Sequence, residues 1–401
     1  MKALLLTQEF LPELPGGIAH YYYHLCRCLD GAMSVLTTGG ADSADFDAAQ
    51  PFAIHRRRMP TVPPAFMRDS RAPLLRLPRI GYIAAAQWLL FHRHARAIAA
   101  EEGTDVALLG HLYLAPLGAR LRAGRGIRFG VSLHGGELHR YMGWRAVRRA
   151  MLKALNDADF LIVNSEFTRR QYLERGVRDG QVFFKVNPGV DTSLFHPEAG
   201  DPAEVRRRHG LGERPTVISV ARLVEWKGHD TVLRALPAII AEVPDAMYLI
   251  VGDGPFRADL ERLVARLGLR DRVVFAGFVP DSELPAYYRA ADVLAVPSRE
   301  VIEDIPIEGF GIVYVEAGAC GLPVVGGRGG GTDESIEDGV TGFRVDHGDP
   351  SAVADAVVRV LADRELAQRM GEAGRRRAVD LYDWRIQADG LRQYLEAVAR
   401  A

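Results

Sequence analysis

Residues 308–325, Glu308-Gly309-Phe310-Gly311-Ile312-Val313-Tyr314-Val315-Glu316-Ala317-Gly318-Ala319-Cys320-Gly321-Leu322-Pro323-Val324-Val325, pass from a glycine-punctuated loop through a small-residue helix into a short apolar strand. A helix that returns to a strand apolar on both faces is the repeating unit of a parallel sheet covered by helices. The same rhythm recurs on either side of this stretch. Upstream in the second half, strands are expected at Thr216–Val220, Met247–Val251, Val273–Ala276 and Val293–Val296, with Pro323–Val325 closing the quoted segment. In the first half they are expected at Ala3–Thr7, Ser34–Thr37, Val106–Leu109, Phe129–Leu133, Phe160–Val163 and Phe183–Val186. The chain therefore reads as α/β, with helices on both faces of each sheet.

At 401 residues and 44.1 kDa the chain is too long for one small core and suggests two domains. A content of 48% hydrophobic and 25% charged residues excludes global disorder, and three cysteines exclude a disulfide scaffold. Cys26, Cys28 and Cys320 are badly spaced for a zinc cage and read as buried thiols in a reducing compartment. The net charge of −1 conceals a division: residues 1–200 hold 25 basic and 18 acidic side chains, residues 201–401 hold 25 and 33. Opposite balances fit two domains with different tasks. Met1–Phe10 reads as a first strand rather than a signal peptide, and no stretch is long and apolar enough to span a membrane.

A joint is expected where Asn187-Pro188-Gly189-Val190-Asp191 leads to Phe195 and Pro197, giving domains 1–190 and 191–383. The final amphipathic segment, about 384–401, has an apolar face to pack elsewhere. One region departs from the βα rhythm: residues 51–100 carry nine arginines and a single acid, Asp69, interleaved with Tyr82, Trp88 and Phe91. Residues 55–96 read either as a basic amphipathic surface for an anionic membrane or acceptor, or as a helix with solvated arginines. No nucleic-acid motif accompanies the charge, so nucleic acid is not expected as a partner.

Ligands of parallel sheets gather past the carboxyl ends of the strands, and five glycine-rich or polar stretches lie there. Gly16-Gly17 follows the first strand and opens a helix, where backbone N–H groups can approach an anion; a plain tight turn is the other reading. His134 ends a strand before Gly135-Gly136-Glu137 and can exchange a hydrogen bond with a substrate hydroxyl, or merely satisfy a loop carbonyl. His111 and Glu9 occupy similar positions with less around them. Arg222 and Lys227 bracket a loop in a way that suits a doubly charged phosphate group, though a surface ion pair reads as well. Gly252 and Gly254 allow a ligand against the backbone, and Phe278 and Val279 can flank a base. In Glu308-Gly309-Phe310-Gly311-Ile312 through Glu316, two carboxylates bracket a helix start whose N–H groups suit a diphosphate. Glu316 is then placed for a ribose diol and Glu308 for sugar hydroxyls. As bare residues they are also compatible with a solvated helix face. Neither half has GxGxxG after its first strand, which disfavours a dinucleotide oxidoreductase.

In this order the segments resemble the retaining nucleotide-sugar glycosyltransferases of family GT4. The Glu308-x7-Glu316 pattern is the most specific part. Ala221-Arg222-Leu223 with Lys227-Gly228, Val251–Pro255, Asn187–Asp191, Asn164-Ser165 and Gly16-Gly17 support it. The resemblance covers almost the whole chain. It implies GT-B architecture, two Rossmann-like domains with parallel sheets facing across a deep cleft, the first binding acceptor and the second the donor. The helix at 384–401 is implied to pack back on the first domain. Arg222 and Lys227 would hold the donor diphosphate and Glu316 the ribose. Glu308 would contact the donor sugar, and His134 would lie beside transferred sugar and acceptor. Gly16 and Gly17 would close on the phosphates.

Pro297-Ser298-Arg299, with Glu308–Val313 and Gly318–Pro323, is most similar to mannosyltransferases acting on phosphatidylinositol mannosides, which implies GDP-mannose as donor and a lipid-linked or glycan acceptor. UDP-sugar transfer to a soluble small acceptor is the next reading. A GT-B-like epimerase or phosphorylase, or a non-catalytic glycan- or lipid-binding module, stand further off. Front-face transfer without a metal or prosthetic group is expected, in the cytoplasm or at the inner face of its membrane. Glu300, Glu303 and Asp304 make the segment before Glu308 unusually acidic.

Overall fold

Strand β1 (Ala3–Leu6) is four consecutive buried residues. Such a strand is stable only between two helix layers, and its neighbours are alike. β2 (Met33–Thr38), β4 (Val106–Leu109), β5 (Arg128–Leu133) and β6 (Phe160–Val163) are buried almost throughout. With β3 (Ile54–Arg57) and β7 (Phe183–Lys185) at the edges they form a seven-stranded parallel sheet, ordered β3-β2-β1-β4-β5-β6-β7. Helix α1 (Gly17–Cys28) follows β1, and α2 (Leu77–Glu102) precedes β4, burying Phe91, Ala95 and Ile98 in the core of this sheet.

The computed structural model describes residues 1–14, 16–59, 77–135, 145–299 and 308–401. Sequence-level readings that fall on Glu137, on 60–76 of the basic segment and on Glu300, Glu303 and Asp304 lie outside the described residues.

The second sheet holds β8 (Thr216–Val220), β9 (Met247–Val251), β10 (Val273–Gly277), β11 (Val293–Val296), β12 (Val324–Gly327) and β13 (Gly342–Val345), ordered β10-β9-β8-β11-β12-β13. Hydrophobic clusters cover both faces, one around Ile218, Leu249 and Leu294, the other around Val217, Tyr248 and Ala295. The helices that shape its carboxyl edge are α3 (His229–Glu242), α4 (Leu284–Arg289) and α5 (Ile312–Ala319).

Each sheet reverses its strand order at its first strand. β1 lies between β2 and β4, and β8 between β9 and β11. Connections leave such a point in opposite directions and open a crevice beyond the carboxyl ends. Both units are thus Rossmann-like parallel α/β domains, as in the GT-B fold.

Two compact units divide the chain, one of Met1–Asn187 with Trp384–Ala401, the other of Pro188–Asp383. Helix α6 (Trp384–Arg400) is held in the first unit. Its Trp384 ring meets Tyr21 edge-on at 5.7 Å and Tyr394 stacks on Phe184 at 4.2 Å. In the second unit, Val190 N donates to the Tyr382 carbonyl at 2.7 Å and the Thr192 hydroxyl to the Asp383 carboxylate, tying together the segments that enter and leave it.

Two strands escape the sequence reading, β3 and β13, and both are sheet edges. An edge strand pairs on one side and needs no continuous apolar run, so Ile54-His55-Arg56-Arg57 passed for the start of the basic segment. Arg56 is nearly enclosed and doubly bonded to the Asp47 carboxylate, and His55 lies 2.6 Å from Glu102. These two side chains are engaged inside the unit and offer nothing to a membrane. Cys26 and Cys320 are buried, whereas Cys28 is only partly so.

Candidate active site

The second unit concentrates charge at its strand reversal. β8 ends at Val220, and Arg222 stands two residues beyond, exposed, with no side-chain partner among the described residues. Its loop is docked on the turn after β9: Ala221 N donates to Val251 O at 3.0 Å, Leu223 N to Asp253 O at 3.0 Å, and Phe256 N to Leu223 O at 2.9 Å. Glycine is required at 252 and 254 for that approach. A Cβ on Gly252 would lie 2.0 Å from the Ala221 oxygen, and one on Gly254 2.4 Å from the Leu223 oxygen. The space that the sequence reading left for a ligand is filled by the Arg222 loop. Beneath it, the buried His229 ring donates through Nε2 to the Arg222 carbonyl at 3.3 Å. Burial pushes the His229 pKa down to about 4, which keeps the ring neutral.

Lys227 closes a single helical turn, Glu225–Lys227, and the left-handed Gly228 then starts α3. No side chain fits at 228, where a Cβ would lie 2.2 Å from the Pro297 carbonyl oxygen. The Lys227 ammonium lies 2.5 Å from Glu308 Oε2, which also accepts from the Ser298 hydroxyl at 3.2 Å. The two charged side chains are only 13% and 14% exposed. Ser298 is two residues past β11, so the two strands flanking the reversal contribute to one cluster. Beyond Glu308, Gly311 adopts φ +84° and begins α5, with no side chain capping the helix start. The Phe310 ring is buried against Tyr382 at 5.3 Å. Gly309 packs its carbonyl where a Cβ of Gly331 would stand, and Ile312 is partly buried at the helix start.

Glu316 lies one turn further along α5. The Tyr288 hydroxyl, from α4, donates to its Oε2 at 2.8 Å. Desolvation raises the Glu316 pKa to about 7, against the opposing effect of that hydrogen bond. The expected base-flanking pair separates: Phe278 is 77% exposed, whereas Val279 packs into the core.

The first unit gathers imidazole, phenol and amide groups at the corresponding edge, next to the Glu9 carboxyl group. Gln8 follows β1, His111 follows β4 and His134 follows β5. Tyr22 of α1 donates to Gly110 O at 2.6 Å, so its oxygen accepts from His134 Nε2 at 2.7 Å. That network assigns the Nε2–H tautomer. Tyr21 and Tyr22 meet the His134 ring edge-on at 5.2 and 5.4 Å, and desolvation pushes its pKa down to about 4. His111 Nε2 bonds Thr7 Oγ1 at 3.0 Å, and Gln8 Oε1 accepts from both Tyr113 and Gln87. Nothing described lies within 4 Å of where a Cβ on Gly16 or Gly17 would stand, so packing among these residues does not demand glycine there.

Sequence reasoning missed Tyr22, Tyr288, His229 and Ser298. Ser298 carried a usable signal, its place just past a strand. The three ring residues carried none, since Tyr22 and Tyr288 act through partners distant in sequence and His229 acts through a backbone carbonyl, which no residue type marks. Among the described residues no group of His, Cys, Asp and Glu is arranged to hold a metal ion.

Residues 201–377 match the glycosyl transferases group 1 model, and residues 15–194 match glycosyltransferase family 4. Over 401 residues, 98% of each chain, the sequence is 35% identical to a GDP-mannose-dependent alpha-(1-6)-phosphatidylinositol monomannoside mannosyltransferase of Mycobacterium tuberculosis. The chain belongs to glycosyltransferase family 4. The transferase is also 36% identical over 258 residues to the D-inositol 3-phosphate glycosyltransferase of Salinispora arenicola, covering 61% of this chain and 56% of that one. Its fold is similar to that of Anabaena HepE in complex with UDP, with a TM-score of 0.80, 21% identity and coverage of 99% and 100%. It is a retaining, nucleotide-sugar-dependent hexosyltransferase, which sets aside the non-catalytic module and the epimerase and phosphorylase readings.

Proposed function

We propose that the transferase moves mannose from GDP-mannose to a hydroxyl of a lipid-linked glycan of the phosphatidylinositol-mannoside type. The observation that carries the reading is the Lys227–Glu308 pair at the strand reversal of the second sheet, with Arg222, which has no side-chain partner among the described residues, on the same loop. A cation held there by an acid is poised for a ligand that is anionic at one end and polyhydroxylic at the other. Arg222 and Lys227 take the diphosphate, the N–H groups at the start of α5 add positive potential, Glu308 accepts from sugar hydroxyls and Glu316 from the ribose diol. In the first unit, His134 contacts the transferred sugar and acceptor, and the open positions Gly16 and Gly17 leave room for phosphate oxygens.

The acceptor oxygen forms its bond to the anomeric carbon on the face that the phosphate leaves. The bond to the phosphate oxygen breaks with its electron pair, and the acceptor proton passes to that oxygen. Arg222, Lys227 and the helix start stabilise the negative charge that develops on the diphosphate, a preorganised electrostatic effect worth about 10²–10³ in rate for one donor group. Two cations suffice for that charge, so the reading needs no divalent ion.

A second reading is UDP-sugar transfer to a soluble polyol phosphate, whose acceptor is favoured by the similarity to the inositol 3-phosphate enzyme. Turnover measured for GDP-mannose, GDP-glucose, UDP-glucose and UDP-N-acetylglucosamine, each against phosphatidylinositol monomannoside and inositol 3-phosphate, separates the two. Product only with GDP-mannose and the lipid supports the first; product only with a UDP-sugar and the soluble acceptor overturns it.

The basic region supplies the lipid side of the proposal. On α2, Arg93 and Arg96 are exposed with Leu89, which is 61% exposed, and the Arg120 guanidinium lies 4.0 Å over the Trp88 ring. This face suits an anionic membrane surface. Among the described residues no helix is long and apolar enough to cross a membrane. Co-sedimentation with vesicles should rise with the fraction of anionic lipid; binding indifferent to lipid charge would contradict the proposal.

A further inference from the structure

We infer that Tyr288 is a positioning residue for nucleotide binding: its hydroxyl orients the Glu316 carboxylate and favours its ionised form, so that the carboxylate accepts the ribose hydroxyls near neutral pH. The inference rests on the assignment of Glu316 to the ribose. Its foundation is geometric. Tyr288 is wholly buried, its ring lies 6.1 Å from that of Phe195, and its hydroxyl reaches from α4 to Oε2 of Glu316 at 2.8 Å. One carboxylate oxygen is thereby engaged from the protein side, which directs the other for a ligand.

The surrounding charges make that hydrogen bond consequential. Asp281, before α4, repels negative charge on Glu316, and burial disfavours it further. Cys320, one turn along α5, is a buried thiol whose own ionisation is pushed up to about 12, so it brings no charge at working pH. The nearby cations are committed to backbone carbonyls, Arg289 to Ala199 and Gly200, Arg375 to Phe195 and Ala319. The Tyr288 hydroxyl is itself held protonated by its burial, well above the ordinary phenol range, and so always donates. Glu316, poised at about pH 7, accepts ribose hydroxyls most strongly when ionised and holds them less tightly as the pH falls through this value, because the neutral carboxyl group accepts without charge assistance.

Tyr288→Phe keeps the ring and removes the donor, which raises the Glu316 pKa. For a rise of about one unit, a hydrogen bond to a charged group being of that order, nucleotide affinity falls about five- to tenfold at pH 7 and below. At pH 9 it returns to within about twofold of the parent. A purely structural defect would lower affinity alike at every pH. The experiment is calorimetric titration of parent, Tyr288→Phe and Glu316→Gln with GDP and UDP and with their 2′,3′-dideoxy analogues, from pH 6 to 9. Glu316→Gln corrects for ionisation of the nucleotide's own terminal phosphate. The expected result is a pH-dependent loss in Tyr288→Phe confined to the ribose-bearing nucleotides. If the parent prefers the ribose forms but Tyr288→Phe binds them as the parent does at every pH, or loses affinity equally at every pH, the role of Tyr288 is overturned. If the parent binds ribose and dideoxy forms equally, the ribose assignment of Glu316 fails, and this inference with it.

Discussion

The carboxyl edges of the two sheets occupy the same topological position, a reversal at the first strand, yet they carry different chemistry. In the second unit the edge holds an ion pair, an arginine with no side-chain partner among the described residues, and a glutamate poised near neutrality. In the first, His134 bonds Tyr22, His111 bonds Thr7 and Gln8 bonds Tyr113, with His134 kept neutral by burial. Strand order places a crevice and leaves its use to the residues that follow each strand. An edge of fixed charge suits a diphosphate, and an edge rich in hydroxyl, imidazole and amide groups suits hydroxyls.

The sharpest way to break this contrast is at Lys227. Lys227→Ala leaves Glu308 enclosed with Ser298 as its hydrogen-bond partner among the described residues, an uncompensated charge that costs about 3 kcal/mol in stability. It should also lower turnover at saturating donor by at least about 10²-fold. Chemical denaturation and steady-state kinetics on the same preparation read the two effects, and parent-like turnover would refute the phosphate role.

A second comparison sets one glycine pair against the other. Gly252→Ala forces a Cβ into the Ala221 carbonyl at a φ of +129°, and should cost about 3 kcal/mol or more through loss of the Arg222 loop docking. Gly17→Ala enters open space in a helix and should hold or raise stability by under about 1 kcal/mol. A fall in donor turnover there, with stability intact, would mark a position kept open for substrate. Unchanged turnover would reduce Gly17 to a turn residue.

Acid should probe both units at once. His134 and His229 have pKa values near 4 in the folded protein against about 6.5 unfolded. The unfolded chain therefore takes up protons that the native state refuses. For the first unit stability should fall as the pH drops from 6.5 toward 4, whereas in the second the raised pKa of Glu316, about 7 folded against 4.5 unfolded, offsets His229 and stability should hold level over that range. His229→Gln should then leave the second unit gaining stability as the pH falls, as followed by hydrogen exchange resolved by segment. A decline of equal size in both units of the parent would contradict it.

Much of the fold is legible as apolar runs because a strand buried on both faces has little choice of residue. β3 and β13 were not, because an edge strand tolerates Arg56 or Arg344 among its residues. At the site, Arg222, Lys227, Glu308 and Glu316 stand out in the sequence as charges beside strand ends and glycines. Their partners do not. The bond from Lys227 to Glu308 spans 81 residues and that from Tyr288 to Glu316 spans 28, and only folding brings such hydroxyls and carboxylates together.

The most direct test of the donor edge is Arg222→Ala, because Arg222 is exposed and its removal disturbs no side-chain bond among the described residues. Titration of this variant and the parent with GDP and UDP, alongside thermal unfolding, should show an unchanged unfolding midpoint and an affinity at least about tenfold weaker. Parent-like affinity for both nucleotides would contradict the claim that this edge binds the donor diphosphate.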